Sequence, residues 1–249
     1  MSAEWKENTK TRTLKDTWLP EGRWVRRLLS YSALLFLSGC AIPVVPYRSV
    51  YEDPVNYVRL ERDETVLPEW PPSAHAHPKA MRGEDVARIL GGIVVKEHRI
   101  WMQKWLQGEA PLLSAFRPEE LALLSRQIAE AFAVAQPDER VTFYLSQPQT
   151  SVKRIITSGG IYLHGTELHF TLGNWQVLYG IPTYGMIYDR RYPMRPTAAK
   201  GFDLFFDPSE ATVIQRHSFL DTVLANTKDE LVIDLTKVSL GPVASLSGR

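Results

Sequence analysis

An α+β fold with a mostly antiparallel sheet of about five or six strands is predicted by two features of this sequence. Between Leu121 and Ala135 apolar residues recur three or four apart, the period of a helix with one buried face. From Arg140 onward the period becomes two, and a glycine turn at Gly165-Thr166 separates two alternating runs, which is the pattern of a hairpin. One main amphipathic helix, a short helix before it and strands after it form an α+β order rather than a βαβ alternation.

The elements follow in chain order. Gly83-Glu-Asp-Val-Ala-Arg-Ile-Leu90 predicts a short helix, with acids in its first turn where the helix dipole favours them and Gly91-Gly92 as its stop. Ile93-Val-Val begins a β-branched strand running toward Arg99. Over Ile100 to Leu106 the signals compete, because Trp101 and Trp105, and Met102 and Leu106, lie four apart. Pro118 at a first helical position, followed by Glu119-Glu120, opens the main helix, and Phe116 is placed to staple against Leu121. Leu121, Leu124, Ile128, Ala131, Phe132 and Ala135 form its core stripe, and Gln136-Pro-Asp ends it. Strands are expected at 140–145, 152–157, 159–164, 167–172, 202–206 and 230–235, and more weakly from Thr212. This single domain spans 81–240, and a small polar tail, 241–249, frays beyond it.

Before the domain, residues 41–80 hold seven of the 17 prolines. Proline fixes φ and removes a donor, so 40–80 is expected to be an extended tether. Within it, Val55 to Leu60 is a candidate strand against the domain, and Trp70 is a candidate to dock in a groove. His75 and His77, two apart, lack further ligands at metal-site spacing. His164 and His169 flank the hairpin turn as solvent-face residues.

The N-terminal stretch carries the address. Arg23, Arg26 and Arg27 precede a ten-residue apolar run, Leu28 to Leu37, and Leu37-Ser-Gly-Cys40 closes it with the one cysteine of the 249-residue chain. As a helix that run spans about 15 Å, half of a ~30 Å hydrocarbon core, which suits a signal better than a span. The motif resembles the lipobox of bacterial lipoproteins. The resemblance covers the basic cluster through Cys40 and implies cleavage before Cys40, acylation of its thiol, and loss of the lead and signal peptide 1–39. Ala41 in place of the aspartate that retains such proteins at the inner membrane implies the periplasmic face of the outer membrane. A run extended through Val45 gives the competing expectation of an uncleaved single membrane anchor, which has to accommodate Pro43. Glu4, Glu7, Asp16 and Glu21 depart from the usual acid-poor start of a signal and point to a misplaced start or a long lead.

Composition narrows the function. Losing 1–39 removes seven of the 29 Lys/Arg and four of the 28 Asp/Glu, leaving 22 basic against 24 acidic residues and no footprint for nucleic acid. One cysteine allows no intramolecular disulfide. No nucleophile elbow, zinc-binding helix or phosphate loop is present, so no catalytic residue, cofactor or metal is assigned. The segment Asn174 to Pro196 is the one unusual composition. Trp175, Tyr184, Tyr188, Arg190, Arg191, Tyr192 and Arg195 crowd an irregular stretch broken by Gly180, Pro182 and Gly185, and Tyr and Arg dominate binding hot spots. The expectation is a lipid-anchored envelope protein, held to the membrane through Cys40. Its domain is expected to be a non-catalytic binding or assembly module for an unknown envelope protein or polymer. A hydrolase acting on peptidoglycan, glycan or lipid is the alternative.

Overall fold

The computed structural model describes residues 45–150, 153–180, 190–197, 199–214 and 230–239. Six strands form the main sheet: β1 (Tyr47–Glu52), β2 (Tyr57–Arg62), β5 (Glu139–Thr150), β6 (Lys153–His164), β7 (Glu167–Gly180) and β9 (Glu230–Asp234). They lie in the order β1-β2-β5-β6-β7-β9, every pair antiparallel. A second antiparallel sheet has the order β4-β3-β8, from β3 (Ile93–Glu97), β4 (Leu112–Ser114) and β8 (Phe202–Phe206). The described residues include three helices, α1 (Gly83–Gly91), α2 (Trp101–Gln107) and α3 (Pro118–Val134). The fold is α+β.

Local chemistry sets the joints. Asp53 accepts from the backbone N–H groups of Val55 and Asn56 at 2.7 and 2.6 Å, closing the β1–β2 turn. Burial alone raises the Asp53 carboxyl, but these backbone bonds, with those from Tyr51 and the Asn56 side chain, outweigh it and hold the group at about 2. Gly165, with φ of 57°, occupies the first position of the two-residue β6–β7 turn, where an L side chain is strained. Pro118 opens α3, and the Glu120 carboxylate accepts from the Arg117 N–H at 2.9 Å, satisfying one orphan donor of the helix start.

The period-two alternation divides the main sheet into two unlike faces. Val58 and Leu60, Val141, Phe143 and Leu145, Ile161 and Leu163, Leu168, Phe170 and Leu172, and Leu231 and Ile233 face the core shared with α1 and α3. Leu124, Ile128 and Phe132 of α3 are fully buried there, each worth about 1.5–3 kcal/mol relative to exposure. The opposite face carries Tyr57, Arg59 and Glu61, then Thr142, Tyr144 and Ser146, then Ser158 and Tyr162, then His169. Most of this polar face is buried as well.

Several expectations are corrected. Within the anticipated tether, 47–52 and 57–62 are strands of the main sheet, the second covering most of the candidate strand Val55 to Leu60, with Tyr57, Val58 and Leu60 fully buried; prolines 46 and 54 lie outside the strands and leave the ladder intact. Trp70 is exposed rather than docked. Ile100 to Leu106 resolves into helix from Trp101. The strands expected at 152–157 and 159–164 are one strand, β6, and β7 continues through Trp175 to Gly180, so the first part of the supposed irregular segment is regular. His169 is buried, not on a solvent face. Thr212 makes a single bridge to Ile233 rather than a strand. Cys40, the apolar run 28–37, Tyr184, Tyr188 and the tail 241–249 lie outside the described residues.

Candidate functional site

Over the polar face lies a cleft of about 420 Å³. Asp63, Arg140, Lys200 and Glu230 line it with charge, Thr65 and Tyr162 add hydroxyls, Thr171, Leu172 and Gly173 belong to the strand beneath, and Met194 and Pro196 complete the lining. Alternation delivers these groups: Arg140 stands directly across from Glu61 on β2, and Tyr162 directly across from His169 on β7.

Two linked networks lie at the cleft. In the first, Asp63 Oδ2 is 3.1 Å from His75 Nε2, Asp63 Oδ1 accepts from Thr65 N and Oγ1 at 2.9 and 2.7 Å, and Arg140 Nη1 stands 3.6 Å from Oδ1. Burial acts to raise the Asp63 carboxyl; the His75 bond, the Arg140 charge and the Thr65 bonds outweigh it and hold it well below the usual carboxylate range. In the second, the Tyr162 hydroxyl donates to Glu230 Oε1 at 2.8 Å, and His169 Nδ1 is 3.2 Å from the same oxygen without hydrogen-bond alignment. Burial, and then the Glu230 charge, push the Tyr162 phenol up, so it remains a neutral donor. The Tyr162 ring joins the networks, with its centroid 4.3 Å from His75 and 4.6 Å from His169. Arg140 Nε and His75 Nδ1 are buried without a hydrogen-bond partner. Among the described residues no three His, Cys, Asp or Glu are grouped to hold a metal ion.

One wall of the cleft is a strap, residues 190–197, clamped to the sheet by buried amide and hydroxyl groups. Ser158 Oγ donates to the Pro193 carbonyl at 2.7 Å, Asn174 Nδ2 donates to Ser158 Oγ and to the Arg195 carbonyl, and Asn174 Oδ1 accepts from Thr197 N and Oγ1. Ser158 therefore spends its proton on a backbone carbonyl and is not poised as a nucleophile. A side chain on Gly160 would meet Met194 Sδ at 2.1 Å, so glycine there lets the strap lie close.

A second cleft of about 510 Å³ borders the first through Gly173 and Lys200. Its wall groups are engaged elsewhere: His98 Nε2 is 2.9 Å from Asp203, and Arg99 donates to the carbonyls of Gln107, Gly108 and Glu109. The first cleft, whose lining residue Arg140 has a buried Nε without a hydrogen-bond partner, is the better candidate for a ligand.

The anticipated binding residues divide. Trp175 is 8% exposed, packs on Phe202 and donates its indole N–H to the Ala115 carbonyl at 3.1 Å. Arg190 turns inward: Nη1 donates to the Pro54 carbonyl, its guanidinium lies 5.5 Å from the Tyr57 and Tyr144 ring centres, and its own carbonyl accepts from the Tyr57 hydroxyl. Arg191, Tyr192 and Arg195 do meet, with both guanidinium groups within 6 Å of the Tyr192 ring centre. None of these lines the 420 Å³ cleft. Composition does not single out the charged residues that do, although Arg59, Glu61 and Asp63 at alternate positions signal a charged face.

Comparison with protein families, with curated proteins and with solved structures finds no match for the chain.

Proposed function

We propose that the chain is a lipid-anchored bacterial envelope protein, acylated at Cys40, whose domain is a non-catalytic binding module. One observation carries the binding part: Asp63 and Glu230, Arg140 and Lys200 place both signs of charge around one cleft. Such a lining suits a small zwitterion, with a free amine against the carboxylates and a free carboxylate against the cations. Peptide ends of envelope polymers have that chemistry. The test is thermal unfolding with tripeptides bearing free termini, beside the same tripeptides acetylated and amidated. The reading expects Tm to rise with the free-ended peptides alone; equal Tm in both arms removes it. The anchor is tested apart, by the intact mass of the N-terminal peptide from native membranes: a peptide starting at acylated Cys40 supports it, and an unmodified peptide running from Leu28 to Val45 leaves the uncleaved membrane anchor.

A hydrolase of envelope polymers keeps one observation in its favour. Glu61 on β2 and Asp63, just past the end of that strand, are two residues apart, and burial raises the Glu61 carboxyl while Asp63 is held low, the split an acid/base pair needs. Glu61, however, does not line the cleft. Glu61→Gln abolishing turnover of a peptidoglycan digest, with the fold intact, is the result this second reading requires.

A further inference from the structure

The helix α2 is inside out. At ~100° per residue, Trp101, Trp105, Met102 and Leu106 fall on one arc of about 140°, and Gln103, Gln107 and Lys104 on the opposite one. Ordinarily the apolar arc faces the protein. Here Gln103 and Gln107 line the 510 Å³ cleft, while Trp101 is 79% exposed, Trp105 80%, Leu106 68%, Ile100 58% and Met102 49%. No residue of α2 is buried.

Polar contacts hold this helix in place instead of apolar packing. Arg99 Nη1 donates to three carbonyls at its C-terminal end, the Gln103 amide oxygen accepts from Ile100 N at 3.1 Å, and Lys96 and Lys104 both pair with Glu109. A seven-residue helix has no stability of its own in water, so these contacts present a formed apolar knob to the outside.

We propose that this arc inserts into the interfacial layer of a lipid bilayer, giving the domain a second, non-covalent membrane contact that fixes its orientation. Two indoles one turn apart are the side chains that interfaces favour, with an apolar body for the acyl region and an N–H for the headgroups. The tether adds to this, and that step alone rests on the proposed anchor: Val45 is five residues beyond Cys40, and at ~3.5 Å per residue the domain starts within about 20 Å of the acyl chains. A second copy of the chain is the competing occupant, and the test below separates it from lipid.

The test uses the full chain carrying Cys40→Ala and Met102→Cys, labelled at 102 with bimane and reconstituted in phosphatidylethanolamine–phosphatidylglycerol vesicles whose acyl chains are brominated near the headgroup. A Glu64→Cys label, on an exposed residue of a different part of the domain, is the control. Quenching at 102 several-fold above that at 64, lost on adding Trp101→Ser and Trp105→Ser, is the expected result. Those two substitutions remove no packing, as both indoles are exposed. Equal quenching at 102 and 64 overturns the proposal. So does a label at 102 that is shielded without lipid and in proportion to protein concentration, since the occupant is then a second copy. Because Cys40 is absent from this chain, failure of the anchor reading appears only in the N-terminal mass and leaves this readout untouched.

Discussion

His77 gives the sharpest test of the buried polar groups. Its ring is buried, stacks on Phe132 at 5.3 Å, meets His75 edge-on at 5.7 Å, and has no hydrogen-bond partner for either nitrogen. Burial, reinforced by His75 and opposed by Glu139, lowers its pKa to about 4. The unfolded chain, with an ordinary value near 6.5, therefore takes up the proton first. The associated stability is whole above pH ~6.5 and is lost as pH falls toward ~4, a total of roughly 3 kcal/mol. The perturbation is His77→Phe, which keeps a ring beside Phe132 and removes the titration. Urea unfolding of both proteins at intervals between pH 7.5 and 4 gives the difference directly. Carboxyls that titrate in the same range, including the raised Glu61 and Glu120, are present in both proteins and cancel. The wild type should fall relative to the variant by roughly 3 kcal/mol across the window. Parallel profiles would refute the reasoning.

Three further outcomes follow from the packing. Asn174→Ala leaves Ser158, the Arg195 carbonyl and Thr197 without their amide partner, so stability in urea should drop by about 2–4 kcal/mol and limited proteolysis should cut within 190–197. Gly159→Ala places a methyl 2.2 Å from the Thr171 carbonyl oxygen in the β6–β7 ladder, and circular dichroism should report a chain that fails to fold or unfolds by well over 3 kcal/mol more easily. Trp175→Phe strands the Ala115 carbonyl and should cost about 1–3 kcal/mol by chemical denaturation while leaving vesicle binding unchanged, unlike the α2 substitutions.

Where side-chain pattern alone sets structure, the sequence was readable. The α3 stripe and the Gly165 turn are local signals, and both elements stand where they were expected. The failures share a cause. Gly159-Gly160 looked like a break, yet glycine is needed mid-strand because the Thr171 carbonyl and Met194 occupy the space of a Cβ. Prolines at 46 and 54 suggested a tether, yet they flank the strands of the β1–β2 hairpin, which joins the sheet through β5, far along the chain. His169 was expected on a solvent face, yet it belongs to a polar sheet face most of which is buried. The cleft was invisible for the same reason: Asp63, Arg140, Tyr162, Lys200 and Glu230 come from distant segments, and only strand order brings them together. Conversely, Trp175 and Arg190 looked like surface residues because composition cannot tell an indole that caps a core from one that greets a partner.

The strand order also sets a waiting time. β2 emerges early in synthesis, but the strand it pairs with, β5, begins only at Glu139. At ~5–20 residues per second the interval is on the order of ten seconds. The apolar side chains Val58 and Leu60, fully buried in the finished sheet, have only β1 to pair with during that interval, and the β5 side of β2 stays open. By contrast β5, β6 and β7 are successive hairpins and can pair as soon as each appears. The meander is thus the template, and the N-terminal hairpin is a late arrival that must be shielded from other chains until its edge is ready.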